Sequence, residues 1–151
     1  MKAIALDSNV EGHKYALIYE KGDEMITLLR EFAQEKGLTA AQFTAIGAFS
    51  GAVLGYFDRE RKGYRKIPVP NQVEVVSLLG DIAMQGSEPV VHAHAVLGGP
   101  DGSATVGHLL EGHVWPTLEL IIEESPATLR KRHDPETGLA VIDTPAARWK
   151  A

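Results

Sequence analysis

Cysteine is missing from this sequence: none of its 151 residues is one. That absence excludes a disulfide framework, a zinc site with thiolate ligands, an iron–sulfur cluster and a thiol nucleophile. Any metal ion bound by this chain would therefore be held by imidazole, carboxylate and water.

Long apolar runs and a positive net charge are missing as well. No stretch approaches the roughly 18 apolar residues of a membrane-spanning helix, and the segment Ala3–Leu6 is too short for the core of a signal peptide. The sequence has 15 Lys and Arg residues against 20 Asp and Glu residues, a net charge of −5. This balance argues against binding of polyanions by the whole surface. We expect a soluble, cytoplasmic protein with no membrane partner.

The length of the chain fits one domain of ordinary size. A chain of this length buries about 70% of its unfolded surface around a single core. No internal repeat, low-complexity tract or linker divides the sequence. We therefore predict one domain over residues 1–151.

One amphipathic helix is predicted near the beginning of the chain, over Glu24–Lys36. Apolar residues from Ile26 to Ala33 recur at helical spacing. Asp23 precedes the helix and is the predicted N-cap, and Gly37 is the predicted end.

After this helix the sequence is typical of strands: β-branched and aromatic residues are punctuated by glycine, with turn signals about every 8–12 residues. A second short helix is predicted over Pro126–Arg132, and the tail 144–151 has no pattern that predicts an element. The predicted fold class is α+β, a central, mostly antiparallel sheet with one or two packed helices. The predicted strands are Tyr15–Tyr19, Phe43–Ala48, Ala52–Phe57, Tyr64–Val69, Val73–Leu79 continued by Asp81–Met84, Pro89–Leu97, Ala104–Val106, Leu118–Glu123 and Gly138–Asp143.

Histidines are concentrated in one window: four of the six lie between His92 and His113. His92 and His94 are two apart in a predicted strand, so they share a face, about 6.6 Å apart along the chain. Two imidazoles so placed can converge on one ion. The alternative is two hydrogen-bonded histidines on a partly buried face, but the further histidines nearby favour a metal.

His108 and His113 are the candidates for a third metal ligand. They are five residues apart, so in a regular strand or helix they point in different directions and only one can join the site. A tight turn at Asp101–Gly102 would fold His108 back beside His92 and His94. We therefore predict a metal site at His92, His94 and His108, with His113 as a neighbour. Three imidazoles and an open position suit Zn²⁺ best, although copper, nickel and iron also accept imidazole.

Two further features have a functional and a structural interpretation. Glu111 is the candidate catalytic residue, as a general base for a metal-bound water or a carboxylate that orients a ligand, or else it is a surface carboxylate. The stretch 59–66 has five basic residues and one acidic residue. It is either an anion-binding patch or, as we favour, a solvated hairpin turn.

Glycines 47, 51 and 55 do not form a known catalytic or phosphate-binding motif. They are not followed by the Lys-Ser/Thr of a phosphate-binding loop, and Ser50 lacks the glycine spacing of a nucleophile elbow. We predict that these glycines allow bulges or close strand packing.

Four segments together resemble the PPC (plants and prokaryotes conserved) domain: Gly47–Asp58, Glu74–Gly80, Pro89–His94 and Gly107–Gly112. The resemblance covers about residues 12–143. It implies an α+β fold with a central antiparallel sheet and a homotrimer. In prokaryotic members with these histidines it implies a bound metal, usually zinc, with His92 and His94 as the paired ligands and His108 as the third.

The DNA binding of the plant members of this family is not implied here. Those proteins contact DNA through a separate Arg-Gly-Arg-Pro segment, which this sequence lacks. Their partner-recruiting strand corresponds to Asn71–Val76, where Glu74 is retained but the initial glycine and arginine are not.

Three hypotheses about function follow from these features. The first is a homotrimeric, metal-binding module for a small anionic ligand or a protein partner. The second is a zinc-dependent hydrolase that uses the open coordination position. The third is a DNA-binding regulatory protein, supported only by the plant relatives and the basic stretch.

Overall fold

The computed structural model describes residues 1–5 and 13–144. Within them, seven strands form one antiparallel sheet, one helix packs on it, and two short strands form a separate hairpin. In chain order the elements are β1 Lys2–Ala5, β2 Lys14–Glu20, α1 Met25–Lys36, β3 Ala40–Asp58, β4 Gly63–Val69, β5 Val73–Gln85, β6 Glu88–Gly98, β7 Ala104–Glu124, β8 Lys131–His133 and β9 Ala140–Ile142.

The sheet closes on itself. Its strand order is β1-β2-β7-β6-β5-β3-β4, and β3 and β7 also pair with each other, so β3, β5, β6 and β7 form a ring. The long strands curve around this ring, and the register shifts along β3 mark bulges that increase the local bend. The apolar core fills the inside of the ring and the space under α1.

The predicted helix is confirmed, with a different N-cap. The carboxylate of Glu24, and not that of Asp23, accepts hydrogen bonds from the backbone of Ile26 (3.2 Å) and Thr27 (2.8 Å). The carboxylate of Asp23 instead binds the N-terminal amine at 2.8 Å and the preceding turn. Gly37 ends the helix in the left-handed conformation, with φ of 68°, as predicted.

The two longest strands, β3 and β7, are each predicted as two separate strands, whereas the last strand, β9, is shorter than the predicted Gly138–Asp143. The segments predicted as two strands on either side of Gly51 are one strand, β3, and those predicted around 104–123 are one strand, β7. A Cβ on Gly47 would clash with the carbonyl oxygen of Thr117 in β7, so glycine permits the close approach of the two strands.

The second helix, predicted over Pro126–Arg132, is wrong. This segment bends at residues 126–127 and then runs alongside the sheet: the carbonyl of Leu129 accepts from the backbone N–H of Met84 at 2.9 Å, the N–H of Leu129 donates to the carbonyl of Thr39 at 3.3 Å, and β8 then pairs with β9. Seven residues form too few helical hydrogen bonds to offset the cost of nucleation, whereas an extended chain pairs with strands on both sides. The β8–β9 hairpin, residues 131–142, is the result. The tail 145–151 lies outside the described residues.

Among residues 1–5 and 13–144, no helix has the length and apolar content needed to cross a bilayer.

Candidate metal centre

The three histidines of the predicted metal site lie together on neighbouring strands. His94 in β6 is the register partner of His108 in β7, and His92 precedes by two residues on the same face. The predicted tight turn between these strands is confirmed: Gly102 has φ of 79° and donates to the carbonyl of Gly99 at 3.0 Å. This turn sets the register that pairs the two histidine-bearing strands.

The side chains of His92, His94 and His108 form a compact group, the three-histidine cluster. Each offers one ring nitrogen such that the three atoms lie within 4.8 Å of one another. The ring centroids are 5.2 to 5.4 Å apart. Ligands of a tetrahedral zinc ion at 2.0–2.1 Å are about 3.3 Å apart, so small side-chain rotations would bring these nitrogens to coordination distance.

Asp81 orients the first of these histidines. Asp81 in β5 is the register partner of His92, and its Oδ2 lies 3.2 Å from Nδ1 of His92. The hydrogen bond from His92 lowers the pKa of Asp81, and the charge of Lys131 lowers it further, against the opposing effect of burial. An ionised carboxylate accepts a hydrogen bond from Nδ1, so Nε2 is the nitrogen of His92 that would coordinate a metal.

Tyr64 covers His108. The two rings are stacked with centroids 4.5 Å apart and an interplanar angle of 19°. Tyr64 also lies against Gly55, where a Cβ would meet the tyrosine ring at 2.8 Å, so the absence of a side chain makes room for this stacking. Burial lowers the pKa of His108 to about 4, and the nearby His92 and His94 contribute to the shift. His108 is therefore neutral near pH 7 and has a lone pair available.

A bound metal fits this donor set. Nδ1 of His108 is buried and has no hydrogen-bond partner among the described residues, which is costly for a polar atom unless something satisfies it. Burial, and then His92, also lowers the pKa of His94. The lowered pKa values of His94 and His108 favour the neutral imidazole, the form that Zn²⁺ and related divalent ions bind.

Glu111 and His113 interact with each other. Oε1 of Glu111 lies 2.7 Å from Nε2 of His113, and both side chains are about half exposed. Neither residue belongs to the three-histidine cluster, and neither lines the cleft next to that cluster.

The basic stretch 59–66 forms the turn and the first residues of the β3–β4 hairpin. The carboxylate of Asp58 accepts hydrogen bonds from the backbone of this turn, as the structural interpretation predicts.

A cleft of about 500 Å³ opens beside the three-histidine cluster. It lies between the sheet and the β8–β9 hairpin, and Lys131 at the start of the hairpin reaches Asp81, with Nζ 3.5 Å from Oδ1. Only 5% of the Lys131 side chain is exposed. The cleft is lined by Tyr64, Asp81, Val90, Val91, His92, His108, Lys131, Leu139, Ala140, Val141 and Ile142.

Sequence reasoning missed Asp81 and Lys131. A signal for Asp81 exists, because a two-residue turn at Gly86–Ser87 pairs residue 85 with 88 and hence 81 with 92. Lys131 has no such signal, since it reaches the site through a hairpin distant in sequence that the local pattern predicts as a helix.

We expect the Asp81→Asn variant to bind metal about 10 to 100 times more weakly than the wild type, because an amide neither holds His92 as firmly nor increases the basicity of its imidazole. Competition with a chromophoric chelator measures the affinity. Asp58→Asn, in the β3–β4 turn, is the matched control and should bind as the wild type does. Equal affinities of all three proteins would contradict this role of Asp81.

Comparison with known proteins locates the chain among its relatives. Residues 7–126 match the sequence profile of the Plants and Prokaryotes Conserved (PCC) domain, also written PPC. No functionally curated protein matches the chain. The family match ends before the β8–β9 hairpin.

Several solved structures share the fold over most of their length. The metal-containing protein of Archaeoglobus fulgidus is 34% identical, with a TM-score of 0.80 over 87% of this chain and 93% of that chain. A PPC protein of Pyrococcus horikoshii is 28% identical, with a TM-score of 0.84 over 97% of both chains. A protein of Ralstonia eutropha JMP134, named as a candidate DNA-binding protein, is 29% identical, with a TM-score of 0.81 over 87% of this chain and 91% of that chain.

Proposed function

Since the chain belongs to the Plants and Prokaryotes Conserved domain family, we propose that it is a metal-binding protein that holds one divalent ion on His92, His94 and His108. Zn²⁺ is the proposed ion, because it accepts three neutral imidazoles and leaves a fourth position open for a ligand or water. When bound, the ion would supply Lewis acidity at that open position.

One observation carries this proposal: three ring nitrogens from two paired strands lie within 4.8 Å of one another. The unsatisfied Nδ1 of His108 and the carboxylate behind His92 give it further support, because metal-binding histidines are commonly held by such carboxylates. The name of the Archaeoglobus fulgidus relative, a metal-containing protein, agrees with it.

The two alternative functions have weaker support. A zinc-dependent hydrolase needs a general base at the open position, and Glu111 is bonded to His113 and does not line the cleft. DNA binding finds support in the names of relatives such as that of Ralstonia eutropha and in a short basic turn on a protein of net charge −5. Neither observation outweighs the three-histidine cluster.

Elemental analysis of the purified protein, repeated after zinc addition and removal of excess metal, tests the proposal. We expect one equivalent of metal per chain. A wild-type protein that remains metal-free after incubation with zinc would overturn it.

We also propose that the protein is a homotrimer, as its resemblance to the PPC family implies, assembled through the outer face of the central strands. Four large apolar side chains are exposed there, by 44% to 60%, although a soluble monomer would gain nothing from exposing them together. Leu79 and Ile121 are register partners of Thr44 on its two sides, so the patch spans three strands. The four residues are Ile46, Val76, Leu79 and Ile121.

Wild-type protein should therefore have a mass in solution three times that of the 16.3 kDa chain. Leu79→Glu should dissociate it at micromolar concentration, because a carboxylate in an apolar interface loses its hydration without a partner. Light scattering coupled to size-exclusion chromatography measures this. Ile4→Glu, on the edge strand β1, is the matched control and should remain trimeric. A monomeric wild type, or an undisturbed Leu79→Glu trimer, would contradict this interface.

A further inference from the structure

The cleft beside the three-histidine cluster has a polar side and an apolar side. Its polar groups are contiguous: Lys131 contacts Asp81, Asp81 contacts His92, and His92 lies beside His108. Tyr64 stacks on His108 and continues this side. The remaining lining residues are all apolar: Val90, Val91, Leu139, Ala140, Val141 and Ile142.

The charge of this cleft favours an anion. Lys131 is nearly buried, and its charge is balanced by Asp81, which is the one acidic residue among the described residues that line the cleft. A divalent ion on the three-histidine cluster would add two positive charges that nothing else in the lining offsets. A negatively charged group at the polar side would then face the ion and the Lys131 ammonium together.

The chemistry of the donors favours a carboxylate over a phosphate. Phosphate sites usually gather several cationic or backbone donors around three oxygens, often with a bidentate arginine. Here Lys131 is the only basic side chain besides the histidines in the described lining, and none is an arginine. One ammonium and one open coordination position match the two oxygens of a carboxylate.

The apolar side defines the rest of the ligand. A volume of about 500 Å³ is within the usual range for a small-molecule site. Leu139 and Val141 of the hairpin, together with Val90 and Val91 of β6, would cover an aliphatic or aromatic body and exclude water from it.

We propose that this cleft binds a small carboxylic acid with an apolar body. Its carboxylate is held by the bound metal and Lys131, and its apolar part lies between β6 and the β8–β9 hairpin. The inference rests on the proposed metal site, and it adds the ligand class and a role for Lys131, a residue outside the segment that matches the family profile.

Isothermal titration calorimetry of the zinc-loaded protein with benzoate and hexanoate tests the inference, with benzamide, hexanamide and inorganic phosphate as comparison probes. We expect at least one of the two carboxylates to bind, and its amide and phosphate to bind about tenfold more weakly or not at all. This comparison uses only wild-type protein, so it does not depend on the folding of a variant.

Lys131→Met should weaken binding of the carboxylate about tenfold while the zinc content, measured on the same samples, stays at one per chain. Lys66→Met, an exposed lysine of β4, is the matched control and should bind as the wild type does. Zinc at one per chain without binding of either carboxylate at concentrations up to about 10 mM overturns the inference alone. So does equal binding of acid and amide, or an unchanged affinity in Lys131→Met. Absence of zinc from the wild type overturns the proposed function as well.

Discussion

Replacing His92 and His94 together by alanine should abolish metal binding. Apparent zinc-binding free energies of 10–16 kcal/mol for sites with four protein ligands correspond to about 3 kcal/mol per ligand. Loss of two ligands would thus cost about 6 kcal/mol, or about 10⁴-fold in affinity. Elemental analysis should find no bound metal in the double variant after excess zinc is removed.

Thermal unfolding provides a second readout of the same change. A ligand that binds only the folded protein stabilises it, by about 2.7 kcal/mol at a concentration 100 times its dissociation constant. Zinc should therefore raise the Tm of the wild type and leave that of the double variant unchanged. Equal zinc-dependent shifts in both proteins would mean that the ion binds elsewhere.

Single variants separate His108 from His113. His108→Ala should lose about two orders of magnitude in zinc affinity, because one ligand contributes about 3 kcal/mol to the binding free energy. His113→Ala is the matched control, since it removes an imidazole of the same strand that is bonded to Glu111. If His113→Ala loses the metal and His108→Ala retains it, the assignment of the third ligand is wrong.

The second large effect is expected at Gly80, which precedes Asp81 in β5. A Cβ at this position would overlap the backbone oxygen of His92 and the ring of Phe43. The carbonyl belongs to a paired strand and the ring to the core, so neither moves without disturbing the sheet. We expect Gly80→Ala to lower the free energy of unfolding by about 3 kcal/mol and to weaken metal binding, because β5 and β6 must separate where Asp81 meets His92.

Denaturant unfolding and zinc titration measure the two consequences. Gly63→Ala is the matched control: it also lies in a strand, and the nearest atom to its Cβ would be at an ordinary 3.8 Å. We expect its stability to be within about 0.5 kcal/mol of the wild type. A Gly80→Ala protein as stable as the wild type would show that β5 and β6 can move apart at no cost, contrary to the close contact of Gly80 with His92 and Phe43.

Part of the candidate site can be predicted from local sequence rules. The alternation of a strand puts His92 and His94 on one face, and the glycine turn at 101–102 returns His108 to the same place. The contacts around them need more than alternation. The contact of Asp81 with His92 depends on the β5–β6 register. The stacking of Tyr64 on His108 depends on the close approach that Gly55 allows. Glu111 looks equally suited to the site from its spacing to His108, yet its partner is His113.

The sequence by itself determined the helix α1, the antiparallel character of the sheet and the pairing of the two histidine-bearing strands, because each depends on periodicity or on a turn between neighbouring segments. Only the tertiary structure decided the closure of the sheet through β3 and β7, the extended path after Pro126 and the position of Lys131 beside Asp81. Those features depend on hydrogen bonds and packing between segments far apart in the chain, where the partner, rather than the local preference, selects the conformation.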